Sequence, residues 1–134
     1  MLCLVLLVMA RREAFITMVT TKDYVVGALV MAHSLRATGT SRPLLCMVTE
    51  HLDDTDVSSL TLGGLTPIQV DPIAAPNVSN VREWDAVGYT KLNLWGLIDW
   101  DFLVYIDADC LIVGDMDDLF KRCDGHLERR CRLI

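Results

Sequence analysis

Two carboxylates separated by one small residue, Asp107 and Asp109, form the pair in this sequence with the clearest capacity for chemistry. They directly follow the apolar run 102–106 (FLVYI), which is typical of a strand buried on both faces. Side chains at the carboxyl end of such a strand open into the crevice where parallel sheets bind ligands. Carboxylate oxygens there can hold a hard divalent cation, and Ala108 leaves room for a ligand to approach.

The Asp-x-Asp spacing alone is weak evidence for a metal site, because the fourteen aspartates of this chain give roughly one or two such pairs by chance. The chain carries four pairs, namely Asp54/Asp56, Asp99/Asp101, Asp107/Asp109 and Asp115/Asp117. Only the third directly follows a run that predicts a buried strand. Position after the strand, and not spacing, therefore singles out this pair from the solvated turns.

The elements that must position the pair are predicted from the apolar patterns. Strands are predicted at 14–20, 44–49, 65–70 and 102–107, with a short one at 111–113. Helices are predicted from Val25 to a stop at Gly39, from Asp53 or Asp54 to Leu60, and over 89–98 with Leu92 and Trp95 inward. Residues 71–88 form a long loop. The alternation of strands and helices predicts an α/β fold with a doubly wound, mostly parallel sheet.

Thr20 and Thr21 follow the first predicted strand as Asp107 and Asp109 follow the fourth, so both segments are expected at one crevice. Hydroxyl groups and free backbone N–H groups at the start of a helix suit a nucleotide. A metal held by the carboxylates would then lie against the phosphates of that nucleotide.

Length and composition allow one small domain or a piece of one, since 52% of the 134 residues are apolar. The net charge of -6 disfavours nucleic acid as a partner and suits a protein that recruits a metal to meet an anionic ligand. The five cysteines have no zinc spacing, and free thiols are expected, with a Cys123–Cys131 disulfide in an oxidising compartment as the alternative.

The two ends of the chain differ from its body. Residues 1–13 are an apolar leader whose run is too short to span a bilayer, and an anchor remnant, an edge strand and a disordered leader stay open. Residues 121–134 form a basic tail, with five basic and two acidic side chains. The sequence does not decide between a cytoplasmic protein and one in the Golgi lumen or on its membrane.

Several motifs, in order and with matching gaps, resemble glycosyltransferase family 8, in particular glycogenin and the plant glucuronosyltransferases related to it. They are FITMVTT at 15–21, Tyr24, GALV at 27–30, SL at 34–35, YTKL at 89–92, VYIDAD at 104–109 and DDLF at 117–120. A series of this kind is far more specific than one Asp pair.

The resemblance implies the nucleotide-sugar-binding fold called GT-A and a retaining transfer of a sugar from a UDP-sugar donor. It implies manganese, or magnesium in its place, as the cofactor. Carried over by position, the metal ligands are Asp107 and Asp109, and the other donor-binding residues are Val19, Thr20, Thr21 and Tyr24 around the uridine, Ala108 near the ribose, and Arg82 and Lys91 at the phosphates. No catalytic residue is assigned, and the acceptor, whether glycan, protein or lipid, stays open.

The family continues past its Asp-Asp-Leu-Phe motif into an Asn-x-Gly segment and a His-x-x-Gly-x-x-Lys segment, and residues 121–134 match neither. The expected organisation is therefore a leader at 1–13, a partial, C-terminally truncated GT-A domain at 14–120, and an unrelated tail. Such a chain is expected to be marginally stable or to self-associate.

Two further functions compete with a transferase. One is an inactive half-domain that binds a nucleotide sugar or a full-length partner. The other is a phosphatase of the haloacid-dehalogenase type, with Asp107 as nucleophile and Asp109 as acid/base. That fold normally has its Asp-x-Asp on the first strand, whereas the pair here follows the fourth, so the phosphatase is disfavoured.

Overall fold

The computed structural model describes residues 11–74, 88–122 and the backbone of 132–133. Its strands are β1 (Glu13–Val19), β2 (Leu44–Val48), β3 (Thr66–Gln69), β4 (Phe102–Tyr105) and β5 (Arg132–Leu133). Its α-helices are α1 (Val25–Ala37), α2 (Asp54–Leu62) and α3 (Asp118–Arg122), and 3₁₀ helices cover Lys22–Tyr24 and Tyr89–Gly96. The strands form one sheet in the order β3-β2-β1-β4-β5, and every pairing is parallel. The predicted α/β fold with a mostly parallel sheet is confirmed.

The central strand β1 pairs with β2 on one side and with β4 on the other. Ile16 is in register with Leu45 of β2 and with Tyr105 of β4. The chain runs outward from β1 through β2 to β3 and then returns to the opposite side of β1, so strand order reverses between β1 and β4. Ligands of open α/β sheets bind at such a reversal, at the carboxyl ends of the strands.

Alternate residues of β1 enter two separate cores, because successive side chains of a strand point to opposite faces. Phe15 and Val19 pack with α1 and with Phe120 of α3, and all three of these side chains are buried. Ile16 packs on the other face with Leu94 of the second 3₁₀ helix. Burial on both faces explains why these strands read as nearly continuous apolar runs.

The predicted helix ends are also present. The Asp53 side chain accepts a hydrogen bond from the backbone N–H of Asp56 at 2.9 Å, which caps α2. Gly39, just after α1, has a φ of 89°, the left-handed conformation that favours glycine at the end of a helix.

The prediction for residues 89–98 was wrong in helix type and in orientation. Tyr89–Gly96 is a 3₁₀ helix whose buried residues are Thr90 and Leu94, whereas Leu92 and Trp95 are 49% and 60% exposed. Residues three apart share a face in an α-helix and in a 3₁₀ helix alike, so the spacing of Leu92 and Trp95 cannot decide whether their face points to the core or to solvent.

The short strand predicted at 111–113 is likewise absent, and Leu111 and Val113 are exposed. Ile112 alone packs against the core, and its backbone N–H donates to the Ser34 hydroxyl of α1 at 3.0 Å. A side-chain acceptor on a helix thus takes the place of a neighbouring strand.

No helix among the described residues is long and apolar enough to cross a membrane. Residues 1–10 of the predicted leader, most of the predicted tail and Arg82 lie outside the described residues. Within that tail, Arg132–Leu133 pairs with β4 as a fifth strand.

A guanidinium group joins three distant parts of the chain. Arg42, between α1 and β2, donates from Nε and Nη2 to Glu13 Oε2 at 2.9 and 2.7 Å. Its Nη1 pairs with Asp117 Oδ2 at 2.5 Å, and its charge lies 4.4 Å from the ring centroid of Phe120. All three charged side chains are about three quarters buried. The contact fixes the start of β1 against the turn that leads into α3.

Replacing Arg42 by methionine keeps the apolar stem and leaves the Glu13 and Asp117 carboxylates without their counter-charge. We expect Arg42→Met to lower the free energy of unfolding by about 2 kcal/mol. Urea denaturation followed by circular dichroism measures it. Lys121→Met is the matched control, because it removes an exposed lysine bridge to Asp118 and should change little. Equal destabilisation by both variants would contradict the assigned role.

Candidate functional site

The crevice at the strand-order reversal contains both segments that the sequence singled out. Beyond β4, the backbone N–H of Ile106 donates to the Ile16 carbonyl at 2.9 Å, so pairing with β1 continues to the edge of the Asp pair. Gly27 of α1 lies directly against the turn, because a Cβ on Gly27 would be 2.9 Å from the Ala108 carbonyl oxygen. Any larger residue at position 27 would force the helix and the Asp-Ala-Asp turn apart.

Asp107 is held by two donors from neighbouring elements. The Lys91 ammonium lies 2.6 Å from Asp107 Oδ1, and the Tyr105 hydroxyl donates to the same oxygen at 3.1 Å. The lysine hydrogen bond, helped by the lysine charge and the tyrosine, lowers the pKa of Asp107 although partial burial opposes it. The carboxylate is therefore ionised throughout the neutral range.

Tyr105 contacts both other members of this arrangement, Asp107 through its hydroxyl group and Lys91 through its ring. Burial, reinforced by the charge of Asp107, raises the pKa of its phenol well above the ordinary value, so the hydroxyl keeps its proton and donates. The Lys91 ammonium lies 4.8 Å from the centroid of the Tyr105 ring, a cation–π distance. Lys91, Tyr105 and Asp107 thus form one connected unit.

Asp109 contrasts with Asp107. Its side chain is exposed, and no described residue forms a hydrogen bond or an ion pair with its carboxylate. The pair offers carboxylate oxygens at the open edge of the sheet, which fits a hard divalent cation. No group of three or more His, Cys, Asp or Glu side chains in the described part of the chain could hold a metal. Water or a ligand would have to supply the remaining oxygens.

The other three Asp-x-Asp pairs each contain a residue with a structural partner. Asp56 is buried and lies 3.9 Å from the Lys22 ammonium. Asp101 accepts from the Arg12 backbone N–H at 2.7 Å, and Asp117 pairs with Arg42. The pair Asp107/Asp109 also contains a partnered residue, Asp107, so what distinguishes it is its position after β4, where strand order reverses.

Only some of the predicted donor-binding residues around the end of β1 are accessible to a ligand. Tyr24 is 51% exposed, Thr21 is exposed and Thr20 is buried. Val19 is fully buried in the core, so its side chain is out of reach of a ligand and only its main chain can take part. The predicted Ala108 is also buried, with its carbonyl against Gly27.

A pocket of about 200 Å³ beside Thr20 was missed by the sequence analysis. Its other lining residues are Thr49, His51, Pro72, Ile73, Ala74 and Thr90. They follow β2 and β3 or belong to the second 3₁₀ helix, and the Thr49 hydroxyl donates to the Thr20 carbonyl at 3.3 Å. The rule that ligands bind at the carboxyl ends of strands would have found this pocket, had it been applied beyond β1 and β4.

The electrostatic unit around Asp107 predicts a pH dependence. Because Lys91 is the main cause of the lowered pKa, Lys91→Met should raise the pKa of Asp107. With Lys91 present, the pair stabilises the fold above the unfolded carboxyl pKa of about 3.9 and loses that contribution as the pH falls through the lowered folded pKa. Carbon-13 NMR of the Asp107 carboxyl group measures the shift. Lys121→Met is the control, and an unchanged Asp107 titration in Lys91→Met would contradict the assignment.

Comparisons with known proteins identify a family from the sequence and a related fold from the structure. The family model described as Glycosyl transferase family 8 matches residues 15–124. Glycogenin-1 of Caenorhabditis elegans is 33% identical over 128 residues, covering 84% of this chain and 27% of that protein. UDP-glucuronate:xylan alpha-glucuronosyltransferase 1 of Arabidopsis thaliana is 34% identical over 114 residues, covering 83% of this chain and 17% of that protein.

Among solved structures, the crystal structure of the galactosyltransferase LgtC in complex with donor and acceptor sugar analogues superposes with a TM-score of 0.64 at 17% identity. The match covers 81% of this chain and 41% of that one, and it supports the GT-A fold. In eight of the curated relatives that it matches, the chain spans between 17% and 36% of their length.

Proposed function

Because the chain belongs to glycosyl transferase family 8, we propose that it binds a UDP-sugar and transfers the sugar to an acceptor with retention of anomeric configuration. The observation that carries the proposal is the exposed carboxylate pair at the reversal of strand order, beside a loop and a pocket suited to a nucleotide. The phosphatase alternative has no support, since the pair follows β4 and the matched family is a transferase family.

Asp107 and Asp109 would hold a divalent cation, Mn²⁺ or Mg²⁺, together with the donor diphosphate. When bound, the cation neutralises charge that grows on the diphosphate as the bond to the sugar breaks. The chemistry of the donors supports this role, because both carboxylates are exposed and Asp109 has no partner among the described residues.

The remaining donor contacts are divided between the two sides of the crevice. Lys91, already beside Asp107, is within reach of a diphosphate bound at the pair, and Arg82 is proposed for the same phosphates from its position in the sequence alone. Thr20, Thr21 and the exposed ring of Tyr24 would contact the uridine, the tyrosine by stacking. An apolar pocket beside Thr20 suits a flat base.

The donor sugar and the acceptor are not fixed by this site. One relative is named for glucuronate transfer to xylan and the structural neighbour for galactose transfer, so related sites take different sugars.

Self-association is proposed for the chain because Leu92, Trp95 and Ile98, at three-residue spacing along the second 3₁₀ segment and just past it, are exposed.

The proposal is tested with a panel of UDP-glucose, UDP-galactose, UDP-glucuronate and UDP-xylose, with Mn²⁺ or Mg²⁺. We expect one sugar to support UDP release that requires the metal, and Asp109→Asn to reduce it at least about 100-fold. Asp54→Asn, at the exposed residue of another pair with the same spacing, is the matched control and should retain full release.

Proton NMR of the released sugar, recorded before mutarotation equilibrates its anomers, then reports whether the anomeric configuration is retained. Inversion would overturn the retaining assignment. UDP binding without release from any sugar would contradict the transferase and favour a nucleotide-sugar-binding module. If Asp109→Asn leaves UDP release unchanged, the proposed metal site is wrong.

A further inference from the structure

Of the two proposed metal ligands, only one is available as the chain stands. Asp109 has no partner among the described residues, whereas Asp107 Oδ1 accepts from the Lys91 ammonium at 2.6 Å and from the Tyr105 hydroxyl at 3.1 Å. A carboxylate oxygen has two lone pairs, and on Oδ1 both are engaged. One of the two donors carries a full positive charge.

A divalent cation and the Lys91 ammonium are therefore in conflict at Asp107. A cation that binds Oδ1 must displace a donor, and one that binds the other oxygen of the carboxylate stays within a few ångströms of the ammonium. Like charges at that separation repel in either case, and partial desolvation of the crevice strengthens the repulsion.

Lys91 is placed so that it can leave. It extends from the second 3₁₀ helix over the Tyr105 ring, with 40% of its side chain exposed, and among the described residues its ion pair is with Asp107 alone. An ammonium released into the crevice needs another anion close by. A diphosphate bound with the cation supplies one, and a charge-assisted hydrogen bond to phosphate replaces the bond to the carboxylate.

We propose that Lys91 is a place-holding cation, which neutralises Asp107 before the divalent cation binds and moves to the donor diphosphate when the cation takes its place. The inference rests on the proposed function and adds a positioning role for Lys91 at the same site. It makes binding of the metal and of the nucleotide mutually favourable, because free metal must displace Lys91 without giving it a new partner.

The test measures two affinities that should change in opposite directions. Loss of Lys91 should strengthen Mn²⁺ binding and weaken UDP binding, whereas loss of a merely structural lysine should strengthen neither. Calorimetry with Mn²⁺ alone should show binding about threefold to tenfold tighter in Lys91→Met than in the parent chain, since the competing charge is gone. With Mn²⁺ at saturation, UDP should bind about tenfold more weakly to the same variant, because a charged contact to the diphosphate is lost. Lys91→Gln, also uncharged, should behave in the same way.

Lys121→Met removes another lysine–aspartate bridge, at 2.8 Å, and should change neither affinity. Weaker or unchanged Mn²⁺ binding in both Lys91 variants, with normal circular dichroism spectra, would overturn the place-holding role. Asp107→Asn and Asp109→Asn separate this failure from that of the proposed function. If both leave the affinity for Mn²⁺ unchanged, the metal site itself is wrong; if they weaken it, only the role of Lys91 falls.

Discussion

The parallel pairing of β1 with both β2 and β4 is the constraint on which the other features of this protein depend. It makes β1 the central strand and buries it on both faces. The strands that follow β1 in the chain lie on one side of it and β4 lies on the other, so strand order reverses between β1 and β4. This reversal creates the crevice at their carboxyl ends. Residues 20–24 and 107–109, far apart in sequence, lie at the same end of the sheet for that reason. The Arg42 contacts secure the opposite end of β1, so the same strand is fixed at both of its ends.

The approach of α1 to the Asp-Ala-Asp turn shows how tightly this crevice is defined. Gly27 allows the helix to lie against the Ala108 carbonyl, and Ala108 itself is buried. The turn therefore has a fixed backbone, from which two side chains project with different surroundings. Asp107 points to a lysine and a tyrosine, whereas Asp109 is free of partners in the described part of the chain. Two carboxylates two residues apart thus differ in readiness to bind a cation.

Much of the fold could be predicted from the sequence, because buried parallel strands leave long apolar runs and because Asp53 and Gly39 have local roles at helix ends. The orientation of the second 3₁₀ helix could not be predicted, since Leu92 and Trp95 share a face in either type of helix and their spacing does not show whether that face points to the core or to solvent. The strand predicted at 111–113 also failed because of a contact that is distant in sequence. The backbone N–H of Ile112 donates to the Ser34 hydroxyl, which is 78 residues away.

The candidate site was predictable to a similar extent. The position of Asp107 and Asp109 followed from the strand before them, but the hydrogen bonds to Asp107 join residues of different elements and have no signature in a single sequence. The burial of Val19 and the pocket beside Thr20 depend in the same way on how β2, β3 and the second 3₁₀ helix pack around the crevice.

The central claim is that a divalent cation and a uridine diphosphate bind together at Asp107 and Asp109. Paramagnetic broadening by trace Mn²⁺, read from backbone amide NMR signals in the presence of saturating UDP, locates the cation directly. The account predicts that broadening is strongest at Gly27, Ala108 and Asp109 and is weak when UDP is absent. Broadening centred on the acidic residues 53–56 or 115–118, or indifferent to UDP, would contradict it.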